Sequence, residues 1–425
     1  MDYLPDHWVE PLTTDPALLV DREALLARHV PRLSARLSRK SGTEAVLVTG
    51  ERGIGKSIFT RHLMAKLAEG QERLITLELN GKSAEPTRLL REAAIRLWER
   101  SGEIYPRLPA WLARWRQELK LLYTHRQVKR SDVDQVKTEW RVGGDASLIE
   151  GLSAQIHWRE ERNLGTVTDY TTEVTDTLLF EALAHTTHRL REDGVRILAF
   201  YDNLDQAITR ERSDLAGVLL RQALGLGANL VLVHLRSEVV GADIRREFGS
   251  VLDVDPLPPS ELLLMLRRRL AREPAEVRAQ VDAAWPTFEK LAALAATPLA
   301  FLHWCAALLT VRAPPFDLTS EPARLDIVSQ ASVSGLDPQL LLRFARVADT
   351  CMRGESMDPW CRRDDLLRGG GPVQGLGRPE CLSEEAVAAL ERIGLLYPKE
   401  RLADPPLYRV DPVLDLLRPS VAKRL

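Results

Sequence analysis

A strand that opens through a glycine-rich turn into a helix constrains the fold of this chain more than any other feature. The run from Val46 to Ser57 reads V-L-V-T-G-E-R-G-I-G-K-S, and the apolar residues Phe59, Leu63 and Leu67 follow at helical spacing. A strand, G-x-x-x-x-G-K-S and a helix form a P-loop, whose backbone N–H groups surround the phosphates of a nucleoside triphosphate. Because both flanking elements are present, this interpretation is favoured over a glycine-rich turn with an idle lysine.

Each residue type in the loop has a physical reason to be there. Glycine allows backbone conformations that a Cβ disfavours, so successive N–H groups can turn towards the phosphates. Lys56 is expected near the β and γ phosphates, and the Ser57 hydroxyl is expected in the coordination shell of Mg²⁺. The N-terminus of the following helix adds a partial positive charge. The predicted ligands are ATP and Mg²⁺. The predicted nucleotide-binding residues of the loop are Gly50, Gly53, Ile54, Gly55, Lys56, Ser57 and Ile58.

Length and composition indicate a globular protein of two or three domains. The chain has 425 residues, of which 45% are hydrophobic and 28% are charged. No run is long and apolar enough to span a bilayer, and the acidic N-terminus lacks the basic and apolar regions of a signal peptide. We therefore expect a cytoplasmic protein without a membrane partner.

The net charge and the cysteine spacing bear on nucleic-acid binding and on metal binding. The formal net charge of −2 argues against coating nucleic acid through bulk charge, while local basic patches stay open as DNA contacts. The cysteines lie in the last third of the chain without a C-x-x-C pair, so reduced thiols are favoured over a zinc site. They are Cys305, Cys351, Cys361 and Cys381.

Strands and helices alternate around the P-loop. A helix is predicted over residues 21–37, a strand over 73–80 and a helix over 87–98. A helix over 175–191 then leads to an apolar strand that ends in Asp202. This alternation builds a parallel sheet with helices on both faces, and ligands bind at the carboxyl ends of its strands. Asp202 is therefore expected to hold Mg²⁺ opposite the P-loop serine, which is the Walker B role.

The alternation breaks over residues 101–165, where tryptophans lie among arginines and lysines. We expect an insertion with a helical first half and two strands, 136–142 and 154–160, around a glycine turn. Interleaved aromatic and basic residues are typical of a nucleic-acid platform. A helix whose tryptophans pack inward, with its charges in solvent, is the favoured alternative.

Two further buried strands, 229–238 and 250–254, complete the predicted sheet, and a helical region follows from Ser260. Together with the P-loop and the stretch from Ile197 to Asp205, these elements resemble the AAA+ superfamily. Within it they are most similar to the branch of the Orc1/Cdc6-like initiators and the STAND signalling ATPases. The resemblance extends from about Val20 to Leu309.

The resemblance implies domains and an activity. It implies a P-loop NTPase domain over residues 1–255, an α-helical lid over 256–313, ATP hydrolysis and self-association. Pro298, in the stretch T-P-L-A-F, matches a proline that lies near the adenine in STAND proteins. The paired prolines at 314 and 315 predict a linker after the lid.

The same resemblance implies roles for polar residues near the last two core strands. A polar residue after the strand at 229–238 acts as sensor 1 in AAA+ proteins, which fits His234, Arg236 or Ser237. Arg236 is the first choice, because STAND proteins often have an arginine there. An arginine before the last core strand reaches the γ-phosphate of a neighbouring subunit, which fits Arg245 or Arg246; a basic pair on the surface fits these two residues equally well.

One position departs from the AAA+ pattern. A glutamate normally follows the Walker B aspartate and polarises the attacking water, whereas this chain has Asn203. An amide does not accept a proton as a carboxylate does. Asp205 is an alternative base, displaced by two residues. We therefore expect slow hydrolysis or a switch driven by binding.

Residues 335–425 resemble a winged helix. The predicted elements are helices over 338–352, 363–367 and 383–393 and short strands over 394–397 and 408–410. The third helix carries Glu384, Glu385 and Glu391, which repel DNA phosphates, so base readout by this helix is not favoured. Basic residues around it stay open as contacts to the DNA backbone.

Two functions fit these predictions. The first is an Orc1/Cdc6-like ATPase that uses nucleotide to set its oligomeric state on or near DNA. The second is a STAND-type switch, in a defence or mobile-element system, in which nucleotide holds the winged helix against the ATPase domain until an unknown protein partner is recruited. Asn203, Arg236 and Pro298 favour the second.

Overall fold

The structure is a computed structural model that describes most of the chain. The described residues are 22–39, 42–81, 86–105, 109, 111–113, 127–129, 159–163, 166–173, 176–204, 220–236, 240, 242–311, 318–331, 337–351, 361–368, 381–393, 395–400 and 407–423.

A five-stranded parallel sheet forms the centre of the P-loop domain, with the order β2–β6–β7–β1–β8. The strands are β1 (Glu44–Thr49), β2 (Leu74–Asn80), β6 (Arg196–Asp202), β7 (Leu230–His234) and β8 (Ser250–Asp253). The P-loop follows β1, and β7 separates β1 from the strand that ends in Asp202. The carboxyl ends of β1, β6 and β7 therefore meet at one edge, where ligands bind in sheets of this kind.

Helices cover both faces of this sheet, as the sequence predicts. They are α1 (Glu23–Leu37), α2 (Lys56–Ala68), α3 (Pro86–Ile104), α4 (Asp176–Glu192) and α5 (Ala242–Arg246). Alternate residues of one strand point to opposite faces. Leu198 and Phe200 pack with α1 and α2 on one face, and Ile197 and Ala199 pack with α3 and α4 on the other. The predicted α/β P-loop NTPase fold is confirmed.

A separate antiparallel sheet lies within the insertion. It has the order β3–β5–β4, with β3 (Gln127–Lys129), β4 (Arg159–Asn163) and β5 (Thr166–Glu173). The described hairpin joins β4 to β5, later in the sequence than the predicted pair of strands, and it runs to Glu173, beyond the predicted end of the insertion at 165. The predicted strand over 136–142 and the glycine turn after it lie outside the described residues.

The lid and the C-terminal domain share one hydrophobic core. The lid helices are α6 (Pro259–Leu270), α7 (Ala275–Ala283), α8 (Trp285–Leu294) and α9 (Pro298–Val311), and α10 (Glu321–Ala331) connects them to the C-terminal domain. Trp304 of α9 is fully buried, and its Nε1–H donates to the carbonyl oxygen of Val413 at 2.9 Å. Leucines from the lid and from the last segment of the chain belong to the same cluster. The two parts are therefore packed as one body.

The described elements of the C-terminal domain occur in the order helix, strand, helix, helix and hairpin. They are α11 (Pro338–Cys351), β9 (Cys361–Arg362), α12 (Arg363–Arg368), α13 (Glu384–Ile393), β10 (Leu396–Glu400), β11 (Leu407–Val410), a 3₁₀ helix (Pro412–Leu417) and α14 (Pro419–Ala422). The three strands pair antiparallel in the order β10–β11–β9. The winged helix stays a prediction that this order fits. Within the described segments, every helix is too short or too polar to traverse a bilayer.

Candidate nucleotide site

The P-loop has the backbone conformation that its glycines permit. Gly53 and Gly55 have φ angles of 78° and 93°, in the left-handed region that other residues rarely adopt. A Cβ on Gly53 would lie 2.8 Å from the Cβ of Leu299, which is closer than real Cβ atoms approach. Glycine is therefore required at Gly53 both for its φ angle and for the approach of α9.

Bonds from Lys56 and from the start of α9 hold the loop. The Lys56 ammonium donates to the carbonyl oxygens of Gly50 at 2.8 Å and Glu51 at 2.7 Å. The backbone N–H of Leu299 donates to the oxygen of Gly53 at 3.3 Å, so the predicted Pro298 segment does lie against the P-loop. Ile54 is buried, and Ile58 lies in the first turn of α2.

Arg22 also holds the loop, and sequence reasoning missed it. Its guanidinium is buried and donates to the carbonyl oxygens of Ile54 at 3.4 Å and Asp255 at 2.7 Å. Arg22 therefore joins the start of α1 to the P-loop and to the segment after β8. The only signal in the sequence is its position in the turn that precedes α1.

Ser57 and Asp202, 145 residues apart, meet at the edge of the sheet. The Ser57 hydroxyl donates to Oδ1 of Asp202 at 3.0 Å, and Asp202 is 6% exposed. Hydroxyl and carboxylate oxygens are the hard ligands that Mg²⁺ takes in sites completed by phosphates and water. The pair therefore fits the magnesium role predicted for it.

His234 lies beside the same carboxylate. Its Nδ1 is 2.9 Å from Oδ1 of Asp202, and its Nε2 is 2.6 Å from the hydroxyl oxygen of Thr60. The imidazole is 2% exposed and meets the ring of Phe200 edge-on, with the centroids 4.6 Å apart. Of the three sensor candidates, the structure brings His234 to Asp202.

The environment keeps Asp202 ionised. Burial by itself raises the pKa of this carboxyl, but the hydrogen bonds from His234 and Ser57 and the nearby charge of Arg61 outweigh it. The result is a pKa below the ordinary value of an aspartate. Arg61 is 4.0 Å from Oδ2 of Asp202 and is held by Glu78 at 2.7 Å. A carboxylate that stays charged at neutral pH suits a cation.

Asn203 occupies the position of the usual catalytic glutamate in a left-handed conformation. Its φ angle is 58°, which asparagine adopts more readily than most residues, and its amide donates to Oδ1 of Asn80 at 3.4 Å. An amide bonded to another amide supplies no base. Asp205, the alternative base, lies outside the described residues.

The other predicted site residues are Arg236, Ser237, Arg245 and Arg246. Arg236 is near enough to Asp411 of the C-terminal domain to lower the pKa of that carboxyl. Ser237 lies outside the described residues. Arg245 and Arg246 are exposed in the last turn of α5, directly before β8. Exposure there is consistent both with contact to a second subunit and with a surface basic pair.

The C-terminal domain contacts the P-loop through what we call the P-loop clasp: Glu51, Arg52, Tyr397, Arg409 and Asp411. Arg409 is 9% exposed and lies 3.2 Å from the carboxylate of Glu51. Arg52 lies 3.5 Å from the carboxylate of Asp411, and its guanidinium is 5.9 Å from the ring centroid of Tyr397. Glu51 and Arg52 are the unconstrained positions of G-x-x-x-x-G-K-S, so the motif gave no signal for these contacts.

The clasp region contains two groups with shifted pKa values. Burial raises the pKa of Asp411, and the charges of Arg52 and Arg236 and a bond from the N–H of Val413 reduce that rise without cancelling it. Burial and the charge of Arg52 lower the pKa of His303, in α9, to about 4. Arg52 thus lies between the lid and the C-terminal domain.

Comparison with known proteins gives structural likeness without sequence likeness. No protein-family model matches the chain, and no curated protein matches it in sequence. Cdc6p from Pyrobaculum aerophilum is 13% identical with a TM-score of 0.44, and the match covers 99% of this chain and 98% of that chain. ORC1 from Aeropyrum pernix, solved in complex with DNA, is 16% identical with a TM-score of 0.43, covering 99% and 97%.

A STAND protein with a tetratricopeptide repeat sensor from Pyrococcus horikoshii is 11% identical with a TM-score of 0.28. That match covers 96% of this chain and 44% of that chain.

Proposed function

We propose that the protein binds ATP and Mg²⁺ at the P-loop and uses the bound nucleotide as a slow switch that controls oligomerisation and the recruitment of a partner. The observation that carries this proposal is the P-loop clasp. Because Glu51 and Arg52 belong to the P-loop and Arg409 and Asp411 belong to the C-terminal domain, a change at the phosphates reaches that domain directly. A γ-phosphate adds negative charge beside the arginines that hold Asp411, so ATP and ADP favour different positions of this domain.

The proposed ATPase activity is slow because of the residue after Asp202. Lys56, Ser57 and Asp202 are suited to hold the phosphates and Mg²⁺, whereas Asn203 offers an amide where a general base is needed. A positioned base contributes roughly 10²–10⁴-fold to such reactions. The nucleotide state therefore lasts long enough to act as a signal.

A protein partner is favoured over DNA readout by α13. Arg363, one of the basic residues before this helix, is paired with Glu384 at 2.5 Å and lies 3.8 Å from Glu391. Its charge is thus paired with carboxylates of the same domain, and the exposed carboxylates of α13 repel phosphate. The Aeropyrum ORC1 was solved in complex with DNA. The experiment below therefore also tests whether this chain contacts DNA through other basic residues.

The experiment measures ATP turnover, ADP retention and mass in solution, with and without duplex DNA. Lys56→Ala is expected to abolish nucleotide binding, and Lys66→Ala, on the exposed face of the same helix, serves as its control. Asn203→Glu is expected to raise turnover by about tenfold or more, and Asn203→Gln, which has the same length without the charge, is expected to leave it unchanged.

The clasp is tested with Arg409→Ala against Arg362→Ala, an exposed arginine in the same small sheet. Arg409→Ala is expected to speed ADP release and to alter the mass of the ADP-bound protein, while Arg362→Ala is not. Fast wild-type turnover, or ADP release that is equal in both variants, contradicts the switch. Turnover or assembly that rises with DNA supports the initiator-like function instead.

A further inference from the structure

We infer that His234 is a positioning residue that orients the Asp202 carboxylate for Mg²⁺, and that it does not sense the γ-phosphate. The inference rests on the proposed nucleotide site, because Mg²⁺ reaches Asp202 together with the phosphates. It concerns only residues of this chain. His234 joins a chain of side chains that runs from α2 through β7 to the end of β6.

Both ring nitrogens of His234 are engaged inside the protein. An ionised carboxylate can only accept, so Nδ1 carries the proton that is donated to Asp202, 2.9 Å away. In the neutral ring Nε2 then accepts from the Thr60 hydroxyl at 2.6 Å. The imidazole is 2% exposed and packs against the ring of Phe200 in a T-shaped contact. A ring that is held in this way has no N–H directed at a phosphate.

The arrangement fixes the direction of the carboxylate. Oδ1 of Asp202 receives bonds from His234 and from Ser57, and Oδ2 faces Arg61 at 4.0 Å. When the Ser57 hydroxyl turns to the cation, the bond from His234 remains and still sets the plane of the carboxylate. Residues that hydrogen-bond to a metal ligand orient that ligand, and their loss typically lowers metal affinity about 10- to 100-fold.

Thr60 extends this positioning to the helix of the P-loop. It is fully buried, and it lies one turn after Ser57 on α2. The bond from Thr60 to His234 therefore ties the Asp202 side of the cation site to the helix that carries its Ser57 side. Loss of the Thr60 hydroxyl frees the imidazole to rotate, although Nδ1 can still reach Asp202.

The test measures the affinity for nucleotide without Mg²⁺ separately from the affinity for Mg²⁺. Affinity for a fluorescent ADP analogue is measured in excess EDTA and then across a Mg²⁺ titration. The variants are His234→Ala, His234→Asn and Thr60→Val, and the control is His188→Ala, an exposed histidine on α4. Asparagine offers an N–H near the place of Nδ1, so it is the conservative replacement.

The inference predicts that His234→Ala lowers the apparent Mg²⁺ affinity about tenfold, with affinity in EDTA changed by less than about twofold. His234→Asn restores the Mg²⁺ affinity to within about threefold of the wild type, and Thr60→Val gives a loss of about threefold. If His234→Ala does not fold, the threefold loss in Thr60→Val carries the test, because valine has the shape of threonine.

Three outcomes overturn the inference. One is an equal loss with and without Mg²⁺. Another is a loss confined to ATP and absent for ADP, which marks a γ-phosphate sensor. The third is failure of His234→Asn to restore Mg²⁺ affinity while the protein keeps the melting temperature of the wild type. A wild-type protein that binds no nucleotide contradicts the proposed function instead, which keeps the two failures distinct.

Discussion

Two aspartates near the P-loop, Asp202 and the half-buried Asp411, differ in what sets the pKa of their carboxyls. Asp202 ends β6 beside Ser57, and Asp411 follows β11 beside Arg52. Burial raises the pKa of both carboxyls. At Asp202 the hydrogen bonds from His234 and Ser57 outweigh burial and the pKa is lowered. At Asp411 the charge of Arg52, 3.5 Å away, does not outweigh it and the pKa is raised.

The difference shows that the hydrogen bonds and charges around a carboxyl decide whether its pKa lies above or below the ordinary value. Short, buried hydrogen bonds hold Asp202 as an anion that suits a cation. The partner of Asp411 is a guanidinium that is 38% exposed and lies at ion-pair distance, an arrangement that contributes little stability. The side of the P-loop with Ser57 and Asp202, which we call the metal side because we propose that it holds Mg²⁺, is therefore tightly held. The Arg52–Asp411 pair of the clasp is held weakly.

The largest expected effect separates the two carboxylates directly. Asp202→Asn removes the charge that we propose holds Mg²⁺, and we expect it to weaken Mg²⁺-dependent nucleotide binding by about 100-fold. Asp411→Asn leaves the metal side intact and should change Mg²⁺ affinity by less than about twofold. Titrations of Mg²⁺ against a fluorescent ADP analogue check both values. Equal losses in the two variants contradict the division between the two sides.

A smaller effect, on the rate of ADP release, is expected at the clasp. Asp411→Asn cannot pair with the Arg52 charge, so the C-terminal domain is released more readily and ADP dissociates about three- to fivefold faster. Stopped-flow displacement of the fluorescent analogue measures this rate. The control is Asp364→Asn, an exposed acid on α12. An unchanged rate in Asp411→Asn shows that the clasp does not restrain the nucleotide.

The contributions of Arg52 and Asp411 to stability should be coupled. Arg52→Ala, Asp411→Ala and the double variant form a cycle whose coupling free energy we expect to be about 0.5–1 kcal/mol, since Arg52 is partly solvated. Chemical unfolding of the four proteins gives this value. Additive single effects indicate that the ion pair contributes nothing and that Asp411 acts through its bond from Val413 alone.

The smallest effect concerns pH and a neighbouring acid. Burial, partly offset by Arg418, raises the pKa of Asp415 to about 6 from an ordinary value of 3.8. The folded state therefore holds this proton more tightly than the unfolded chain does, and the stability that Asp415 contributes falls as the pH rises from about 4 to about 6. Asp202, whose pKa is lowered, acts in the opposite sense and only below that window.

Asp415→Asn is expected to remove this dependence. The melting temperature of the wild type minus that of the variant should fall by about 2 °C between pH 4 and pH 6.5. Thermal unfolding across that range measures the difference. A constant difference shows that Asp415 keeps an ordinary pKa in the folded protein.

The metal side could be predicted from sequence, and the clasp could not. The P-loop and Asp202 follow from local patterns, since an apolar strand that ends in an acid, in a chain that has a P-loop, predicts the Walker B aspartate. The choice among sensor residues depends on strand register: Tyr201 pairs with Val233, which places His234 next to Asp202. A register is not readable from one strand alone. The family resemblance favours Arg236, whereas His234 makes the contact with Asp202.

The clasp depends on contacts between residues about 350 positions apart in the sequence. Glu51 and Arg52 occupy positions where the motif accepts any residue, and Arg409 reads as an ordinary strand residue. Only the packing of the C-terminal domain with the lid, fixed by Trp304 and the shared core, brings them together. Long-range packing of this kind carries no local sequence signal.

The most direct test of the coupling is amide hydrogen exchange across Leu407–Leu417 of the wild-type protein, with ADP and Mg²⁺ and with ATP and Mg²⁺. This segment carries Arg409 and Asp411. We expect stronger protection with ADP, because the γ-phosphate competes with Asp411 for the guanidinium of Arg52. Identical protection in the two nucleotide states, while both nucleotides remain bound, contradicts it.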